Sequence, residues 1–82
     1  MPTFLRFGPY RVVIYPNDHR PAHVHVIGNG GEAVFNLQCP AGPPVLREFM
    51  GLADKELNRI AAQLQAELAM LCDAWRTIHV HF

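Results

Sequence analysis

Three histidines, His19, His23 and His25, fall within seven residues of the segment NDHRPAHVHVIGNGGEAVF, directly behind Asp18 and around Pro21. Imidazole is the side chain whose unperturbed charge change lies between pH 5 and 8, so such a cluster suits metal ligation or proton transfer. On a strand, His23 and His25 would project from one face, about 6.5 to 7 Å apart. Two ring nitrogens so placed can reach one transition-metal ion, zinc or nickel, with His19 as the next ligand. Three or four ligands are needed, and Asp18, Cys39, His79 and His81 are the further candidates. Without a metal, one neutral and one protonated imidazole can remove and deliver a proton, as cleavage of RNA through its 2′-hydroxyl requires. In that chemistry Asp18, His19, His23 and His25 are the catalytic set. Arg11, Arg20 or Arg47 would hold a phosphate, and Tyr10 or Tyr15 would stack on a base or donate a proton. A plainer reading competes: histidines alternating with valines form the wet face of a half-covered antiparallel sheet, and His-x-His alone is a weak pattern.

The rest of the chain bounds these readings. Eighty-two residues, half of them hydrophobic and 17% charged, predict a single small folded domain over residues 1–82 with a modest core. Seven basic residues balance seven acidic ones, so there is no global field to draw in a phosphate backbone, and RNA would need a local patch. No apolar run is long enough for a membrane span, and Arg6 and Arg11 interrupt the N-terminal region where a signal peptide needs its apolar stretch. A cytoplasmic protein is expected. The two cysteines, Cys39 and Cys72, lack C-x-x-C spacing, which argues against a disulfide framework or a cysteine-only zinc site and leaves a single bridge open. Cys72 lies beside a leucine stripe and reads as a small buried filler.

The elements that must position the histidines follow from punctuation and periodicity. PTFLRFGPYRVVIY reads as strand, bend at Gly8-Pro9, strand. HVHVI is a third strand, Gly28-Asn29-Gly30-Gly31 supplies a hairpin turn, and EAVFNL is its partner. Residues 38–52, with three prolines and two glycines, predict an irregular crossing loop with a short helical turn near Leu46 to Phe49. Leu57, Ile60, Ala61, Leu64, Leu68, Leu71 and Trp75 share one face of a long helix between Asp54 and Arg76. Its first turn holds Asp54 and Glu56, and Glu56 can close half of a capping box if Ala53 is the N-cap. TIHVHF then reads as a closing strand. If that strand pairs beside the third, His79 and His81 meet His23 and His25 on one surface.

The order RFGPYR, YPNDHRPAHVHV, GEAVFNL, a proline-containing loop, LADKELNRIAAQL and AW resembles a family of small bacterial proteins, domain of unknown function 4160. The resemblance covers nearly the whole chain. Its most specific part is the acid-His-x-Pro-x-His-x-His element, Asp18, His19, Pro21, His23 and His25, and the matching positions also include Arg6, Gly8, Tyr10 and Trp75. The family often has a second proline where this chain has Ala22, and it commonly ends on aromatic residues soon after the helix; here the end is RTIHVHF. The resemblance implies a small protein partner encoded alongside and, from that arrangement, a toxin-antitoxin role.

The expected architecture is α+β: a small antiparallel sheet of three to four strands, one long helix packed on one face, and an extra C-terminal strand. An exposed strand and an uncovered apolar helix edge further predict a homodimer. Two functions follow. One is a toxin-like effector whose histidine patch binds metal or cleaves RNA by acid-base chemistry. The other is a non-catalytic interaction module, an antitoxin or accessory subunit, whose histidines are structural.

Overall fold

The computed structural model describes residues 3–17 and 19–79. Five strands form one antiparallel meander in sequence order: β1 (Thr3–Phe7), β2 (Tyr10–Val13), β3 (His23–Gly28), β4 (Gly31–Asn36) and β5 (Val45–Met50). Two helices follow, α1 (Asp54–Ala66) and α2 (Leu68–Ile78). The class is α+β, but the expected three to four strands and single long helix are corrected to five strands and two helices.

The added strand is β5, where a crossing loop with a helical turn was expected. Its residues pair antiparallel with β4, from Val45↔Asn36 to Met50↔Glu32, and Arg47 is left out of register as a bulge. The bulge breaks the alternation by which a strand is recognised, and all six residues are exposed, so burial imposed no period-2 pattern on their types. The helix divides at Glu67, whose N–H is shared between the carbonyls of Gln63 and Leu64 at 3.2 Å each. Such a three-centre bond is a helix-end arrangement. The apolar stripe Leu57, Ile60, Leu64, Leu68, Leu71, Trp75 runs across the break without losing its face, so periodicity does not mark it.

In the expected closing strand, residues 77 and 78 are instead the last turn of α2. His79 caps that helix; residues 80–82, including His81, lie outside the described residues, and so does Asp18.

The β3–β4 turn forms as its residues require. Asn29 (φ 52°) and Gly30 (φ 82°) occupy the two central positions of a type I′ hairpin between the paired Gly28 and Gly31. At Gly28 a Cβ would lie 2.0 Å from the Pro9 carbonyl oxygen, so the close passage of the β1–β2 bend excludes any side chain.

One face of the sheet carries Tyr10, Val12, Val24, Val26, Ala33 and Phe35 against the leucine stripe of the helices. The opposite face is not open either: Val13 and Val34, the register partners of His25 on the two neighbouring strands, are both buried.

Glu56 ties three parts of this frame together. Its Oε2 accepts the Ala53 N–H at 3.0 Å, closing the helix start, while Oε1 accepts the Tyr10 hydroxyl at 2.6 Å and the Asn29 amide at 2.5 Å. Alanine has no side-chain acceptor, so only this reciprocal half of a capping box forms. The Ala53 N–H above all, then the Tyr10 and Asn29 donors, lower the Glu56 carboxyl from 4.5 to about 2. The same contact raises the Tyr10 phenol, whose proton is held by the carboxylate.

A carboxyl lowered on folding contributes stability that is present above its unfolded value and lost as the pH falls towards its folded one. The urea midpoint should therefore fall as pH is lowered from about 4.5 towards about 2, and Glu56→Gln should flatten that slope. A slope unchanged by the substitution would remove Glu56 from this role.

Candidate functional site

His23 opens β3 and His25 follows on the same face, their rings in edge contact with centroids 5.4 Å apart. The strand period thus brings together the pair that the spacing predicts. Their surroundings differ. His23 is only 5% exposed; its Nδ1 lies 2.8 Å from the Pro21 carbonyl oxygen and its ring is 5.2 Å from the Trp75 indole. His25 meets the edge of Tyr15 at 4.7 Å and reaches Glu32 across the β3–β4 pair at 3.3 Å.

Trp75 reaches this end of the sheet from the last turns of α2. On its other contact it stacks with His79, centroids 3.8 Å apart and planes 25° from parallel, and His79 Nδ1 lies 2.9 Å from the Trp75 carbonyl oxygen. His79 is buried too. A row results, Tyr15, His25, His23, Trp75, His79, that joins strand to helix. His79 enters it from a helix end and not through a paired strand. A carbonyl oxygen can only accept, so in both His23 and His79 it is Nδ1 that donates to the backbone.

The other sequence candidates scatter. His19 and Arg20 are exposed in the loop after β2. Arg11 pairs with Ile27 and shares the histidine face by register. Tyr10 lies on the helix-covered face, committed to Glu56, so it does not share a surface with Arg11 or with the histidines. Arg47 is the bulge residue of β5. Among the described residues, no group of three or more His, Cys, Asp or Glu converges as a metal site would require.

Two features went unpredicted. Cys72, expected as a buried filler, is bonded to Cys39 with the α-carbons 6.0 Å apart, closing a loop across 33 positions. Beside this bridge lies a cleft of about 700 Å³ whose walls include Arg20, Gln38, Trp75, Arg76 and His79. The spacing Cys72, Trp75, Arg76, His79 is that of one helix face, and reading it past Arg76 would have placed His79 beside Trp75.

A family model described as a domain of unknown function, DUF4160, matches residues 10–76. The chain belongs to this family. The match takes in β2 to β5, α1 and most of α2, with the histidine pair, Trp75 and both half-cystines inside it, while His79 falls outside. No curated protein and no solved structure matches the chain. No helix among the described residues is long and apolar enough to cross a membrane.

Trp75, 6% exposed, should behave as a core residue: Trp75→Ala is expected to cost about 3–5 kcal/mol in urea denaturation. His25→Gln gives up the pair with the half-exposed Glu32 and edge contacts to Tyr15 and His23, and should cost less, about 1–2 kcal/mol. Equal effects would show that the row does not anchor the helix.

Proposed function

We propose that this protein is a non-catalytic interaction module that binds an extended segment of a protein partner along the free edge of β5, with its buried histidines structural. The observation that carries the reading is β5 itself. It ends the sheet, its six residues are exposed, and four of them are large and apolar: Val45, Leu46, Phe49 at 51% and Met50 at 76%. An edge strand offers a row of unpaired N–H and C=O groups to another chain, and proteins that do not use such an edge ordinarily blunt it. The nearby concavity formed by Glu32, Ala33, Val34, Glu48, Phe49 and Met50 gives a partner's side chain somewhere to sit.

Charge disfavours the two central registers by which a second copy would pair along β5. A twofold axis perpendicular to an antiparallel pair sets the central residue opposite itself. Centred on β5, that would place Arg47 against Arg47 or Glu48 against Glu48, and like charges directly opposite are destabilising. A partner strand with an acid facing Arg47 and a base facing Glu48 avoids this. The small protein that members of this family are expected to have encoded beside them is the natural candidate, which makes this chain the accessory or neutralising member of a two-protein pair. The toxin-like alternative, in which the histidines bind metal or cleave RNA, has less support: His23 is buried and hydrogen-bonded to Pro21, and Tyr10 is turned to the other face.

The test is hydrogen exchange on the full chain with and without the protein encoded alongside. Residues 45–50 should gain protection, and Leu46→Asp or Phe49→Asp should weaken binding by about 30-fold or more with the circular dichroism spectrum retained. Protection at His25, binding indifferent to both substitutions, or growth arrest by this chain alone that His23→Ala abolishes would overturn the reading.

A further inference from the structure

We propose that the Cys39–Cys72 bridge is a thiol–disulfide exchange site, reached by small anionic thiols through the cleft that Arg20 and Arg76 flank. The inference is independent of the β5 edge. Both half-cystines line the cleft, together with the two guanidinium groups and the Gln38 amide, and among the described residues that line it none is acidic. The volume, about 700 Å³, is that of a small-molecule site. Asp73 pairs with Arg76 just outside and Arg20 has an interaction of its own, but both guanidinium groups are exposed, so such contacts only partly offset the positive character of the wall.

The two sulfurs are not equivalent. Cys39 is exposed in the loop before β5, whereas Cys72 is part-buried on α2. Exchange requires a thiolate to approach one sulfur in line with the bond that breaks, and access selects Cys39. The incoming thiolate bonds to Cys39 Sγ, the Sγ–Sγ bond breaks, and its electron pair leaves on Cys72 Sγ, which then takes a proton from water. Arg76 lies one turn beyond Cys72, and a cation there favours the departing thiolate. A second thiolate attacks the sulfur of the bound thiol, releasing Cys39 as thiolate and the oxidised thiol dimer. Two electrons have then passed to the protein, and the reverse sequence restores the bridge. Opening it detaches from α2 the segment that leads into β5.

The test uses the intact protein in anaerobic buffer, with glutathione, 2-mercaptoethanol and cysteamine as anionic, neutral and cationic thiols. Rates are normalised to each thiol's reaction with a small uncharged disulfide, and quenched intermediates are mapped by mass spectrometry. The expected result is a mixed disulfide at Cys39 and about a tenfold normalised preference for glutathione over cysteamine. That preference should disappear in Arg20→Gln/Arg76→Gln and, in the unaltered protein, at about 0.5 M salt. A mixed disulfide at Cys72, no charge preference, or a preference that survives both the substitutions and the salt would overturn the proposal. Should the double variant fail to fold, the salt series decides alone.

Discussion

The contact on which the rest of the arrangement depends is the packing of Trp75 against both His23 and His79. A single indole on α2 thereby fixes where the helix end sits over the start of β3. Cys72, one turn earlier on the same helix, is positioned by the same docking and can reach Cys39. The loop between β4 and β5 is therefore held from one side by the bridge. In a chain this small, which on size buries only roughly 60% of its unfolded surface, one large aromatic contact and one covalent tie are substantial fractions of what holds the layers together.

Glu56 does the corresponding work at the other end. Its carboxylate gathers donors from the helix start, from β2 and from the β3–β4 turn, so the hairpin and α1 are fixed relative to each other. Between these two anchors the sheet presents a covered face, a second face partly closed by imidazole, valine and tyrosine, and one edge strand, β5, that is exposed among the described residues. Buried histidines with committed Nδ1 groups suit scaffolding, and an exposed apolar edge suits recognition. This division is why the proposed function rests on β5 and not on the cluster that the sequence makes most conspicuous.

Much of the fold is legible in the sequence, and the failures have physical causes. Gly8-Pro9 and Asn29-Gly30 announce their bends because few residue types accept those backbones, and the strands around them fall where punctuation places them. β5 escaped because an exposed, bulged edge strand is under no pressure to alternate. The division at Glu67 escaped because it leaves the apolar stripe intact. For the site, the period of two correctly predicts that His23 and His25 share a face. It cannot reveal that Trp75, far along the chain, would cover His23. The bridge was equally hidden, since two cysteines 33 positions apart carry no spacing signal and only the docking of α2 brings them together.

Whether the histidines are structural is decided by two-bond nitrogen–proton correlation spectra of the imidazoles, recorded before and after addition of zinc or nickel. Nδ1–H tautomers also occur in metal ligands that bind through Nε2, so the response to metal decides. If the histidines are structural, His23 and His79 are Nδ1–H tautomers whose resonances do not move with stoichiometric metal. Stoichiometric shifts of the Nε2 signals of His23 and His25, saturating at one ion per chain, would contradict it and return the histidine face to the centre of the function.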